Sequence, residues 1–240
     1  HPDILTSRNN LADTYRKAGR TGEAIPLYEQ VLTDTIRILG EDHPDTLTSR
    51  NNLAGAYRSA GRITEAIALF EQVLPDRTRI LGEDHPDTLT SRNNLAYTYV
   101  FAGRLTEAIT LLEQVLTDST RILGEDHPNT LSSRNNLADT YRKAGRTGEA
   151  IALYEQVATG RARVLGPNYP DTLTSRHNLA NIYRSVGRLD EAITLYENLL
   201  PNHIRVLGAD HPDTLTSRNN LADAYESAGR LTEAITLYEQ

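Results

Sequence analysis

The stretch His43–Ala54, HPDTLTSRNNLA, decides the fold, because it keeps returning. It recurs unchanged at 85–96 and 211–222, as HPNTLSSRNNLA at 127–138 and as YPDTLTSRHNLA at 169–180. A further copy, HPDILTSRNNLA, opens the chain. His1, His43, His85, His127, Tyr169 and His211 are therefore 42 residues apart. A fixed period of this size specifies stacked structural units, not one globular core. The units are 1–42, 43–84, 85–126, 127–168, 169–210 and a shortened 211–240, a single array across 1–240.

Each unit reads as two helices. Pro2 and its equivalents suit the first turn, where a missing N–H costs nothing. The first helix runs to about Ala18 and stops at a glycine found in all six copies: Gly19, Gly61, Gly103, Gly145, Gly187 and Gly229. The second helix starts near Thr21, carries Glu23 in its first turn and ends at Gly40. Pro75 and Pro201 lie inside later second helices, and Ala158-Thr159-Gly160 weakens the same point in the fourth unit. Bends or breaks are expected at these places; Pro26, nearer its helix start, should disturb less. Residues 7–25 and 133–151 are identical, so a three-unit block of 126 residues has been copied once.

Helical spacing sorts the first helix into faces. Ile4, Leu11, Tyr15 and Ala18 form an apolar stripe, with Ser7 and Thr14 small enough for close approach and Arg8 able to pack its stem. Thr6, Asn9, Asp13, Arg16 and Lys17 form the opposite, polar stripe, which faces solvent or a ligand. The second helix is apolar around more of its circumference, as expected between neighbouring units.

Composition narrows the function. A formal charge of −7 argues against a phosphate-binding surface for nucleic acid. There is no cysteine, so disulfides, thiolate metal sites and a cysteine nucleophile are excluded. No apolar run approaches the roughly 18–20 residues that span a bilayer, and no signal peptide is visible. A cytoplasmic protein without membrane or nucleic-acid partners is expected. Methionine is absent and the chain stops inside a repeat, as in a fragment of a longer protein. The His-Pro histidines occur once per unit and line up instead of converging, a poor transition-metal set; a capping and linker role is expected, with no metal and no cofactor. Ser, His and Asp recur in every unit, whereas an active site needs one copy, so no catalytic residues are assigned and no enzyme is expected. The Arg20/Glu23 pair reads as a surface ion pair of little energetic weight.

Leu11, Ala12, Tyr15, Gly19, Ala24 and Tyr28 carry a pattern that resembles the tetratricopeptide repeat (TPR). The 42-residue length, the LGEDHPDTL linker, NNLA and EAIPLYEQVL resemble the kinesin-light-chain variety, as also found in bacterial proteins fused to regulatory ATPase domains. The large aromatic residue common early in the family's first helix is absent; Arg8 and its equivalents stand there. The resemblance implies an all-α, right-handed superhelical solenoid of stacked antiparallel helix pairs. It also implies a concave groove, lined by the first helices, that binds a peptide or partner domain. In kinesin light chains, Asn residues of this helix similarly contact bound peptide.

Candidate ligand residues follow from the polar stripe. Asn9, Asn51, Asn93, Asn135, His177 and Asn219 can hydrogen-bond an extended backbone without reading its sequence, or they tie adjacent units together. The next column, Asn10, Asn52, Asn94, Asn136, Asn178 and Asn220, never varies and reads as an inter-unit hydrogen bond. Asp13, Gly55, Tyr97, Asp139, Asn181 and Asp223 do vary. So do Arg16, Arg58, Val100, Arg142, Arg184 and Glu226, one turn on. In the third unit Tyr97, Val100 and Phe101 place apolar groups on a face that is polar elsewhere. They are expected to anchor a partner, with Arg58 and Arg142 flanking for a carboxylate. The alternative is an assembly or regulatory arm. The terminal units lack polar caps, so end-to-end self-association is its expected signature.

Overall fold

The computed structural model describes residues 2–239. His1 and Gln240, which belong to the first and last units, lie outside them. The first helices of the repeats are α1 (Pro2–Lys17), α3 (Pro44–Ser59), α5 (Pro86–Phe101), α7 (Pro128–Lys143), α9 (Pro170–Ser185) and α11 (Pro212–Ser227). The second helices are α2 (Thr21–Leu39), α4 (Ile63–Leu81), α6 (Leu105–Leu123), α8 (Thr147–Leu165), α10 (Leu189–Leu207) and the short α12 (Leu231–Tyr238). The protein is an all-α repeat solenoid, and no strand occurs among the described residues.

Local chemistry sets these bounds. His43 precedes the N1 proline of α3, and its ring Nδ1 accepts a hydrogen bond from the Asp45 amide at 3.1 Å. His85, His127 and His211 cap α5, α7 and α11 in the same way. Tyr169, at the start of α9, makes no such bond. The turn between α3 and α4 closes at Gly61, where φ is +75°, a left-handed conformation that costs glycine little. There Arg62 N donates to Tyr57 O at 2.9 Å, satisfying a carbonyl the helix leaves open.

Two compact units make up the chain, His1–Asp118 and Ser119–Gln240. In the first, α1 packs on α2, α2 on α3, α3 on α4 and α4 on α5. In the second, the same succession runs from α7 to α12. Within these units α2, α4, α8 and α10 are thus each covered by their own first helix and by the next repeat's. Ile25 and Tyr28 of α2 meet Ala12 of α1 and also Leu53 and Ala56 of α3. Fully buried alanines let the helices approach closely, and Tyr28, Phe70, Tyr154 and Tyr196 fill the centres of their hairpins. Burying one such ring stabilises by about 2–3 kcal/mol. First helices of successive repeats also touch, α3 with α5 and α9 with α11, so their outer stripes adjoin.

The second helices do not break where the sequence led us to expect. Residues 63–81 and 189–207 are continuous α-helix through Pro75 and Pro201, and 147–165 is continuous through Gly160. Pro75 and Pro201 are exposed, so the carbonyl each leaves unpaired can be solvated. The chain beyond Pro75 is also held from the side. Arg77 binds Thr48 at 3.0 Å and Arg79 binds Asp42 at 2.7 Å. A Cβ at Gly160 would lie 2.7 Å from Leu131 Cδ2, so the leucine side chain fills the room that the glycine leaves.

Candidate functional site

The outer stripe of the first helices begins with the asparagines, and they are engaged with one another. Asn52 Nδ2 donates to Asn9 Oδ1 at 3.0 Å, and Asn94 Nδ2 to Asn51 Oδ1 at 3.4 Å. In the second unit Asn220 Nδ2 lies 3.2 Å from His177 Nε2, and the His177 ring meets Tyr196 edge-on. Each bond thus joins one column in one repeat to the other column in the next. Asn9, Asn51, Asn93, Asn135 and His177 are half-buried, and Asn219 is exposed. The Oδ1 atoms of Asn93 and Asn135 are buried without a hydrogen-bond partner among the described residues. They are acceptors that a donor could still use.

One turn further along, most charges are neutralised internally. Arg16 pairs with Asp13 at 2.5 Å, Arg142 with Asp139 at 3.5 Å and Arg184 with Asp223 at 2.9 Å. Hydrogen bonds from Lys17 and Arg16 hold the Asp13 carboxyl below the usual carboxylate range. The same carboxylate position also serves the hairpin centre. Tyr154 donates to Asp139 at 2.6 Å, Tyr196 to Asn181 at 2.5 Å and Tyr238 to Asp223 at 2.7 Å.

The second repeat departs from this on both sides of the hairpin. Gly55 replaces the carboxylate, and Phe70 replaces the tyrosine that would have needed it. Arg58 is left with no carboxylate partner among the described residues. It donates to the Asn94 carbonyl at 3.4 Å and lies 5.4 Å from the Tyr97 ring centroid and 6.0 Å from that of Phe70. Burial pulls its pKa below the ordinary arginine value, yet a guanidinium stays charged at neutral pH. Beside it Tyr97 and Phe101 stack edge to face, 5.2 Å between centroids, and remain 48% and 61% exposed. Val100 turns the other way and packs on the core with Leu95 and Tyr99. The structure therefore brings together Arg58, Tyr97 and Phe101, while Arg16, Arg142 and Arg184 sit on carboxylates of their own.

An inter-repeat clasp escaped sequence reading. Tyr57 donates to Glu29 at 3.0 Å and Tyr99 to Glu71 at 2.7 Å; Tyr183 and Tyr225 repeat this with Glu155 and Glu197 at 2.6 Å. Arg62 and Arg104 stack on the same tyrosines, 4.2 and 4.1 Å from the ring centroids. The Arg20/Glu23 type of pair thus includes a ring contact as well as an ion pair. The signal was the invariance of this tyrosine in every copy.

Among the described residues no group of three or more His, Cys, Asp or Glu side chains could hold a metal ion. None of their helices is long and apolar enough to cross a membrane.

These features define a helical-hairpin repeat protein with a ribbon of polar and aromatic side chains on its first helices. The chain belongs to the tetratricopeptide repeat family, which matches residues 3–78, 52–120, 92–162, 150–197 and 171–240. It is similar to the nearly identical TPR-like repeats of a putative kinesin light chain from Podosopora anserina. The identity is 36%, covering 86% of this chain and 98% of that one, with a TM-score of 0.78. It shares its fold with BtubC from P. vanneervenii at 20% identity (TM-score 0.72, covering 98% of this chain and 88% of that one). It does so too with PilW, a type IV pilus biogenesis factor, at 17% identity (TM-score 0.70, covering 98% and 90%). A search among curated proteins finds no match.

Proposed function

We propose that this chain is a protein-interaction scaffold that binds a peptide or partner segment along its first helices, without chemistry of its own. The observation that carries the reading is Arg58. A desolvated cation without a carboxylate partner among the described residues lies against the exposed Tyr97 ring, which packs in turn on the exposed Phe101. A ligand with a carboxylate beside an apolar side chain satisfies both features, through a charge-assisted hydrogen bond and ring burial. Asn51 and Asn93 flank this place along α3 and α5, and Val100 supports it from the core. Asn9, Asn135, His177, Asn219, Arg16, Arg142 and Arg184 extend the same stripe with weaker claims, because most are already paired. Rigid packed helices present these groups at little ordering cost. The same reading places the protein in the cytoplasm.

Selection from a random peptide library on the immobilised chain tests this. Selected peptides should carry Asp, Glu or a free C-terminus next to an apolar residue. Their affinity should drop at least about tenfold in Tyr97→Ala/Phe101→Ala, the scale of a lost anchor. Peptides that bind this variant and the parent equally would refute the anchor.

A second reading has its own observation. Leu11 is 45% exposed, whereas its equivalent Leu53 is 4% exposed beneath the preceding helix α2. At the other end Leu231 and Ile235 are exposed. End-to-end association of copies would cover both faces. Light scattering that rises with concentration in the absence of ligand favours this reading, and a monomer at all concentrations removes it.

A further inference from the structure

A pocket of about 590 Å³ opens between α1, α2 and α3, and the neighbouring repeats show what it is shaped to hold. Leu5, Val31, Ile38 and Leu39 make its apolar wall, and Thr6, Asp45 and Ser49 face them with polar groups. Its volume is in the range of ordinary ligand pockets.

At the next junction an arginine supplied by α4 meets the same kind of wall. Arg77 is 3% exposed. Its Nη1 donates to the Asp87 carbonyl at 2.8 Å and to Ser91 Oγ at 2.9 Å, and its Nη2 to Thr48 Oγ1 at 3.0 Å. In the second unit Arg161 repeats the arrangement, with the Asp171 carbonyl at 3.2 Å and Ser175 Oγ at 2.8 Å. His203 stands at the corresponding position of α10 and again meets the equivalent serine, Ser217, at 2.6 Å. These three junctions are filled from within.

Moving the Arg77 acceptors back by one repeat of 42 residues gives Asp45, Ser49 and Thr6, and all three line the pocket. The residue equivalent to Arg77 is Thr35. It is too short to cross the space, and its hydroxyl donates to the Leu32 carbonyl at 2.9 Å. The first junction has kept the acceptors and lost the donor. The Asp45 carboxylate at the rim and the net charge of −7 favour a cation there.

We propose that this pocket binds a guanidinium from outside, the side chain of an arginine in a partner polypeptide. It donates to the Asp45 carbonyl and the Ser49 hydroxyl as Arg77 does to their counterparts. A planar fork of donors can bridge two acceptors while its stem lies on the apolar wall; a lysine ammonium is a point charge and bridges them poorly. The pocket shares Thr6, Asn9 and Asn52 with the stripe discussed above but needs neither Arg58 nor the aromatic pair.

The probe is N-acetyl-arginine amide, titrated into the whole chain by calorimetry or saturation-transfer NMR beside the lysine and citrulline analogues. The arginine derivative should bind saturably, at least about tenfold better than either analogue, as expected for a charged fork at a bidentate site. Thr35→Arg should abolish that binding by filling the pocket as Arg77 fills its own. Arg77→Thr should add one further equivalent. Ser49→Ala, which removes one acceptor with little change in volume, should weaken binding several-fold and serves if Thr35→Arg does not fold. Tyr97→Ala should leave the titration unchanged, which separates this site from the anchor. No saturable binding, equal binding of arginine and lysine derivatives, or undiminished binding in both Thr35→Arg and Ser49→Ala overturns the proposal.

Discussion

Arg58 lies 5.4 Å from the centroid of the Tyr97 ring, and the position three residues before it, where Asp13 serves Arg16, is Gly55. Gly55→Asp should give Arg58 an internal counter-ion. Affinity for a carboxylate-bearing peptide should then fall roughly tenfold, about 1.4 kcal/mol, the scale of one charge-assisted contact. Calorimetry checks this, with circular dichroism confirming that the helices persist.

The Gly55 and Phe70 replacements belong together. In the fourth repeat Tyr154 donates to Asp139 at 2.6 Å. Tyr154→Phe should therefore cost about 0.5–1.5 kcal/mol of stability. In the Asp139→Gly background the same change should cost clearly less, because the bond is already gone. A double-mutant cycle by urea denaturation reads the coupling; additive losses would mean that the hydroxyl bond contributes nothing.

Helix α9 is the one first helix after α1 whose leading residue, Tyr169, makes no capping bond. Tyr169→His should restore the ring acceptor that His127 offers α7. The expected gain is about 0.5–1 kcal/mol, with the reciprocal loss in His43→Ala. Thermal denaturation of the two variants measures both.

His177 and His203 make the second unit sensitive to acid. Burial, and then repulsion from His203, lowers the pKa of His177; burial, and then repulsion from His211, lowers that of His203. Asp213 opposes both shifts and Arg184 adds to that on His177. The unfolded chain therefore binds protons that the folded one refuses. Their neutral forms support stability fully above the unfolded value of about 6.5, and this support is lost as pH falls below it. His177→Asn/His203→Thr, which copies residues found at these positions in other repeats, should flatten the stability profile between pH 7 and 5, roughly the window in which unperturbed histidine titrates.

The hairpins were legible because their signals are local. The His-Pro start and the glycine stop fix each helix within a few residues of itself, and the 42-residue period repeats them. The prolines misled because helix propensity is local too, whereas Pro75 is exposed and the helix beyond it is held by Arg77 and Arg79. The Asn9 column left two readings open, since the bond that joins it to the Asn10 column spans 43 residues and depends on stacking geometry. The matched change from Asp13 and Tyr28 to Gly55 and Phe70 was present in the sequence. The two positions are 15 residues apart on opposite helices, so their pairing emerged only once the hairpin closed. The pocket at Thr35 was hidden for the same reason: its lining comes from three helices of two repeats.

Amide NMR of the chain with a peptide selected on it tests binding along the first helices. The largest shifts should fall on α3 and α5, around Asn51, Arg58, Asn93, Tyr97 and Phe101. Shifts centred on the exposed face of α4, around Ala68 and Gln72, with α3 and α5 unmoved, would contradict it.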